Sequence, residues 1–255
     1  MAKKYCVFNQ KGGVGKTATT TNLGAALARA GKRVLLIDAD SQGNLTSGLG
    51  MRAEKKRSLY EVVCGHLDAY KAILATPYQN LMLIPSTTQL SGAEVELVGV
   101  PQRELILKKA LAPLDAHFDY ILFDCPPSLG LLSINALAAS DGIIVPIQCE
   151  YYALEGVSNL INTINLVKRG LNPELDIAGI VLTMYDSRTN LSLQVAEEVK
   201  RFFREKVYNT IIPRNVKIAE SPSYGQPVIY YDEASTGAKA YTALAEEILA
   251  KGDAL

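Results

Sequence analysis

Two lysines, three glycines and a threonine fall within the nine-residue stretch Asn9-Gln10-Lys11-Gly12-Gly13-Val14-Gly15-Lys16-Thr17. A short apolar run precedes it and a helical pattern follows it, so the glycines open a helix. Such a turn can aim several backbone N–H groups at one phosphate, because glycine allows backbone angles and close approaches that a Cβ forbids. Lys16, at the helix start, can reach the outer phosphates of a nucleotide, and the Thr17 hydroxyl can ligate Mg²⁺. Gly12, Gly13, Val14, Gly15 and Ala18 complete the expected nucleotide contacts. The plain alternative is a glycine turn with a solvated lysine, and the strand-before, helix-after setting argues against it.

Carboxylates stand in two further places. The apolar run Val34-Leu35-Leu36-Ile37 ends in Asp38-Ala39-Asp40, and Tyr120-Ile121-Leu122-Phe123 ends in Asp124. At the C-terminal edge of a parallel sheet, such side chains face the crevice where open α/β folds bind ligands. An aspartate ending a hydrophobic strand holds Mg²⁺ directly or through water, which makes Asp124 the expected metal residue. For all three, an ordinary turn or helix cap is the alternative. Pro126 and Pro127 fit a rigid exit from the strand, and Cys125 reads as a small buried residue.

Strands and helices must bring these positions together. Short apolar runs at Tyr5–Asn9, Arg33–Asp38, Leu81–Pro85, Tyr120–Asp124, Gly142–Pro146, Ile177–Met184 and Val207–Ile211 read as strands. Most lack polar alternation, as expected of strands covered on both faces of a parallel sheet. Helical patterns lie between them at Lys16–Ala30, Ser91–Leu97, Gln102–Leu111, Leu131–Ala139, Leu154–Lys168, Ser192–Lys206 and Ala238–Leu249. Gly31 closes the first helix, and Gly170 and Pro173 close the one ending near Lys168. The alternation implies right-handed crossovers and a doubly wound, mostly parallel sheet flanked by helices, an α/β fold. The whole chain, residues 1–255, reads as one domain, with Met51–Thr76 as a helical insertion.

Composition sets the remaining bounds. Among 255 residues, 26 basic side chains balance 26 acidic ones, so a strongly basic nucleic-acid module is not expected, although a local basic face is compatible. Cys6, Cys64, Cys125 and Cys149 form no C-x-x-C pair, which points away from a disulfide framework or a zinc site. No apolar run approaches the ~18 residues of a membrane span, and the start lacks a secretory h-region. The expectation is a soluble, cytoplasmic protein.

The glycine loop departs from the common pattern G-x-x-x-x-G-K-[ST]: Gln10 stands where glycine is usual, and a second lysine, Lys11, begins the loop. Lys-Gly-Gly-Val-Gly-Lys-Thr resembles the deviant Walker A box of the partition ATPase superfamily, which includes ParA and Soj, MinD and the nitrogenase iron protein. Asp38-Ala39-Asp40-Ser41-Gln42-Gly43-Asn44 resembles the D-x-D-P-Q-G-N box of the ParA/Soj branch, with Ser41 in place of proline. Leu182–Asn190 and Ile212–Pro222 are similar to the corresponding ParA segments, and the likeness runs from about residue 3 to about residue 247.

That resemblance implies a P-loop NTPase that uses ATP and Mg²⁺. It implies a sandwich homodimer in which Lys11 reaches the partner's phosphates, a cation in trans that couples pairing to the triphosphate. By the same resemblance Lys11, Lys16 and Asp40 are catalytic, with Asp40 orienting the attacking water. Asp38 supports the metal shell with Thr17 and Asp124, while Pro213 and Asn215 line the adenine pocket. ParA proteins bind double-stranded DNA without sequence preference as ATP-bound dimers and hydrolyse ATP slowly until a ParB-like partner stimulates them. The implied role is chromosome or plasmid segregation on the nucleoid. Between Tyr185 and Lys217, seven basic residues stand against four acidic ones, an excess suited to phosphate contacts. Arg188, Lys217 and Arg214 are the expected DNA contacts, whereas Lys200–Lys206 reads equally as a solvated helix face.

Other readings stay open. A MinD-like regulator calls for a C-terminal amphipathic membrane helix, but the end here is acidic and short of apolar bulk, so no membrane partner is expected. An iron–sulfur carrier needs bridging cysteines, and neither Cys125 nor Cys149 fits those positions. With the loop near residue 11, an operator-binding helix-turn-helix domain before it is not expected. A ParA-like ATPase that positions another protein cargo, and a metabolic enzyme that transfers phosphate to a small molecule, complete the alternatives.

Overall fold

The chain, seen in a computed structural model, is described over residues 1–54, 56–150 and 155–252. One sheet holds β1 (Lys3–Val7), β2 (Val34–Asp38), β3 (Leu74–Ala75), β4 (Leu81–Ile84), β5 (Tyr120–Asp124), β6 (Gly142–Gln148), β7 (Asp176–Tyr185) and β8 (Val207–Pro213). Their spatial order is β3-β4-β2-β5-β1-β6-β7-β8. All pairings are parallel except β3 with β4. Leaving β1, the order runs one way through β5 and β2 and the other way through β6 and β7. The loop after β1 therefore opens at a topological switch point, where open α/β sheets bind ligands.

Alternation along each strand divides the core in two. Leu35, Ile37, Ile121 and Phe123 face one layer of helices, where they meet Leu107, Leu137, Leu160 and Ile164. Val34, Leu36, Tyr120 and Leu122 face the other, where they meet Leu23 and Leu27 of the Lys16–Arg29 helix and Tyr241 and Leu244 of the Thr236–Gly252 helix. Burial on both sides explains why the strands read as unbroken apolar runs.

Each strand expected from sequence is present, β1 lying two residues earlier than its pattern suggested. The insertion differs from expectation. Helices Leu59–Val63 and Ala69–Ala72 are there, but β3 follows them antiparallel to β4. Arg57 explains the turn: its guanidinium donates to the carbonyls of Lys71 (3.1 Å) and Ile73 (2.8 Å), holding the chain beside the sheet edge. The helix expected over Leu154–Lys168 spans Glu155–Gly170, with Leu154 outside the described residues, as is Lys55 of the insertion.

Candidate nucleotide site

β1 delivers the chain to the glycine loop, and the Lys16–Arg29 helix takes it away. Gly13 (φ 76°) and Gly15 (φ 90°) occupy the left-handed region, which side chains with a Cβ disfavour. Four polar side chains fix the loop. Asn9 donates from Nδ2 to the Pro146 carbonyl at 2.9 Å and accepts at Oδ1 from the Lys11 amide at 3.1 Å. Gln10, which departs from the usual glycine, donates to Thr163 Oγ1 at 3.0 Å and ties the loop to the Glu155–Gly170 helix. The Thr183 hydroxyl on β7 donates to the Val14 carbonyl at 2.9 Å. A cleft of about 330 Å³ opens among the loop glycines, Thr17, Ala18, Asp40, Cys125 and Met184.

Lys16 is 8% exposed, and its Nζ donates to the Lys11 carbonyl at 3.1 Å. Burial pulls its pKa down, opposed chiefly by the Asp124 carboxylate. Charge is therefore stored beside the cleft on a lysine whose one bond is to a backbone carbonyl, ready to move to a phosphate. The Lys11 side chain is half-buried, and its ammonium has no partner among the described residues.

Asp38 and Asp124 are register partners on β2 and β5. Asp38 is wholly buried. Its Oδ2 accepts from the Thr46 amide (2.9 Å) and hydroxyl (2.6 Å), and its Oδ1 from the Asp40 amide (3.3 Å). Burial pushes its pKa up to about 6, against the pull of those bonds. Asp124 accepts at Oδ1 from Thr20 Oγ1 at 3.3 Å, with the Thr17 hydroxyl also beside it. Its Oδ2 is buried without a partner. Burial, then the neighbouring Asp38, push the Asp124 pKa up to about 8. Asp40 is half-buried at the cleft, its Oδ1 accepting from the Gln42 amide at 3.0 Å.

An orphaned carboxylate oxygen, a hydroxyl and a second buried carboxylate form an all-oxygen donor set suited to Mg²⁺. A cation there would also offset the burial that raises both pKa values and, at Asp124, the repulsion from Asp38. Asp38, expected with the metal residues, stands in this pair with both oxygens already engaged. Asn9, Thr20, Thr46 and Thr183 were not singled out by sequence, and Gln10 was noted only as a departure from glycine. The one signal was the run Thr19-Thr20-Thr21, three hydroxyls buried in a helix.

Pro213 and Asn215 lie at the end of β8 and do not line the phosphate cleft. Asn215 caps the Val216–Glu220 helix, accepting from the Lys217 (2.9 Å) and Ile218 (3.3 Å) amides, while its Nδ2 donates to Thr236 Oγ1 at 2.7 Å. Tyr185 and Pro213 are paired on β7 and β8, which brings Arg188 and Arg214 to one edge. Arg188, 84% exposed, grips Asp186 through Nε (2.8 Å) and Nη2 (2.7 Å). That guanidinium, and at longer range Arg214, hold the Asp186 carboxyl far below the usual range. Lys217 pairs with Glu220 at 3.1 Å and lies 5.5 Å over the Tyr231 ring. On the neighbouring helix Arg201 is held by Glu198, and Lys206 by Asp176.

A strand–loop–helix phosphate cradle, with carboxylates ending the adjacent strands of a doubly wound sheet, defines a P-loop nucleoside triphosphatase. A family model described as an AAA domain matches residues 2–177. The sporulation initiation inhibitor protein Soj of Bacillus subtilis is 56% identical over 253 residues, 99% of this chain and 100% of that protein. The chromosome partitioning protein ParA of Myxococcus xanthus is 51% identical over 245 residues, 96% of this chain and 87% of that protein. Cobyrinic acid a,c-diamide synthase of Mycobacterium smegmatis, solved with an ATP analogue and magnesium, has a TM-score of 0.85 at 40% identity, covering 98% of this chain and 95% of that one. The chain belongs to the Soj/ParA family of chromosome-partitioning ATPases.

Proposed function

We propose that this ATPase is a DNA-partition switch in which ATP selects a paired, DNA-binding state and hydrolysis returns the unpaired one. The observation that carries the reading is the Lys11 ammonium at the mouth of the loop, without a partner among the described residues, next to a Lys16 that the cleft already holds. One lysine is committed to the chain's own phosphates, which leaves the other to meet those of a second copy.

ATP enters with its phosphates on the amides of Gly12, Gly13, Val14, Gly15 and Ala18 and its outer charge on Lys16. Thr17 and Asp124 would hold Mg²⁺, which would supply charge neutralisation for the phosphates. Asp38 fixes Asp40 through its amide and Thr46 through both donors, so the water-orienting carboxylate hangs from a buried support. Asp40 then aligns the attacking water, a positional contribution that suits phosphoryl transfer. Pro213 and Asn215 flank the adenine, Asn215 by fixing the start of the helix that it caps.

Pairing doubles the edge formed by Arg188, Arg214 and Lys217, so nucleotide governs DNA affinity through dimerisation. The proposed setting is the nucleoid, with a ParB-like protein stimulating turnover. The Thr236–Gly252 helix buries Ala238, Tyr241, Leu244 and Ile248 in the core, so that face is not free to lie on a membrane. Across the described residues no helix is long and apolar enough to span one.

Light scattering and salt-titrated DNA binding, each with a non-hydrolysable ATP analogue and with ADP, test the switch. The analogue is expected to give a dimer and tight, sequence-independent DNA binding, ADP neither, and Lys11→Ala neither with the analogue. A Lys11→Ala protein that still pairs and binds DNA with the analogue would end this reading. Turnover that needs a small-molecule acceptor and ignores DNA would instead favour a metabolic synthase, as the Mycobacterium smegmatis protein is named.

A further inference from the structure

Cys6 lies on β1, and Cys125 directly follows β5. The two strands are parallel neighbours with Cys6 opposite Phe123. Because side chains alternate along a strand, Cys6, Phe123 and Cys125 share one face of the sheet, opposite to Asp124. Cys6 is 0% and Cys125 1% exposed, and their sulfurs are 3.0 Å apart. A further approach of about 1 Å would join them, since disulfide sulfurs lie ~2.05 Å apart. Neither thiol has a part in phosphate binding, yet Cys125 belongs to the lining of the nucleotide cleft. Cys6 is enclosed behind it.

We propose that Cys6 and Cys125 form an oxidative modification site: a peroxide entering the nucleotide-free cleft converts the pair to an intramolecular disulfide, and bound Mg·ATP closes that route. The protection by nucleotide rests on the function proposed above; the cross-link itself rests on the register of β1 and β5. The Cys125 sulfur attacks one peroxide oxygen, the O–O bond breaks, and a sulfenic acid and water form. The Cys6 sulfur then attacks the oxidised sulfur, the S–O bond breaks, and a second water leaves with the Cys6 proton. Two thiols and one hydrogen peroxide thus give one disulfide and two waters, the sulfurs losing two electrons to the peroxide oxygens. Burial of both sulfurs limits access of the peroxide and makes the reaction slow, a response to sustained oxidation. The cross-link draws Cys125 toward β1, and Asp124, one peptide bond away, moves with it. Misplacing a catalytic constellation by ~1 Å costs turnover on the order of 100-fold.

The test treats nucleotide-free wild-type protein with hydrogen peroxide, blocks the remaining thiols and maps the peptides by mass. Expected are a loss of ~2 Da, a Cys6–Cys125 linked peptide, loss of ATP turnover, and recovery of both thiols and turnover with dithiothreitol. Prior addition of Mg·ATP slows the cross-link. Cys6→Ala keeps basal turnover and is not inactivated by peroxide through this route; the wild-type map needs no variant and stands if Cys6→Ala fails to fold. Cys6 and Cys125 persisting as thiols while the partly exposed Cys64 oxidises would overturn the proposal. Equal cross-linking with and without Mg·ATP, in protein shown to bind it, would overturn the cleft route. Unoxidised protein that binds no nucleotide would count against the proposed function instead, because the linked peptide is read without any nucleotide.

Discussion

The phosphate end of the sheet and the basic edge beyond β7 and β8 use charge in opposite ways. At the first, Asp38, Asp124 and Lys16 are at most 8% exposed, and each is held by neighbours that water does not replace. At the second, Arg188 is 84% exposed and bonded to an acid two residues away in its own loop. Low dielectric makes the buried charges strong, cooperative and intolerant of loss. High dielectric makes the exposed ones weak, additive and sensitive to salt. Chemistry at a phosphate needs fixed geometry, whereas the sequence-independent DNA contact proposed for the other end needs charge without it.

Deleting a buried cation breaks that contrast hardest. Lys16→Ala removes from the cleft an ammonium whose charged form Asp124 chiefly supports against burial. ATP affinity measured by calorimetry is expected to fall on the order of 100-fold or more, in line with the cost of losing one member of a buried, hydrogen-bonded charge pair. Near-normal affinity together with normal turnover would mean that the cleft is not the nucleotide site.

A gentler change acts on the carboxylates through pH. In the metal-free chain Asp124 titrates at about 8 and Asp38 at about 6, both raised from 3.8. Between the ordinary carboxylate range and those values, the folded state holds protons that the unfolded chain has released. Stability then falls as pH rises through that window. Metal-free protein is therefore expected to melt at a lower temperature near pH 8 than near pH 5.5. Asp124→Asn should flatten this slope and raise the melting temperature at the alkaline end, while abolishing Mg²⁺-dependent nucleotide binding. Parallel melting curves for wild type and variant across pH would show that Asp124 is not the strained group.

How much of this was legible in sequence differs between the same two regions. Periodicity and the glycine loop located β1, β2 and β5 and the ends where Lys16, Asp38, Asp40 and Asp124 cluster, because strand direction alone fixes which edge those ends share. What holds the cluster was not legible: Thr46 reaches Asp38 from eight residues away, and Gln10 finds Thr163 from 153 residues away. Such pairs arise only when packing brings separate segments together. The two-residue β3 escaped because its pairing depends on Arg57 gripping backbone carbonyls and not on any apolar pattern. The contact between Cys6 and Cys125 escaped for a related reason, since register is a property of the assembled sheet. At the basic edge, counting charges gave the sign but not the pairings that withdraw Arg201, Lys206 and Lys217 from free display.

Those pairings yield the smallest and most discriminating effect. Asp186 sits between Arg188 and Arg214, gripped by the first and influenced by the second. Arg188→Glu removes a cation and places an anion near Arg214, so it removes one phosphate contact from each protomer. DNA affinity in the ATP state is expected to drop on the order of tenfold at low salt, with a log–log salt dependence shallower by about 2, roughly one contact per protomer. Thermal stability should barely change, since an exposed ion pair contributes ~0–1 kcal/mol, and ATP-dependent pairing should persist because no residue of the cleft is touched. Asp186→Asn provides the opposite arm: it releases Arg188 and removes the acid next to Arg214, so DNA binding should tighten and its salt dependence steepen. If both variants bind DNA as the wild type does at every salt concentration, this edge is not the one that meets DNA, and the division of labour between the two ends has to be redrawn with another surface.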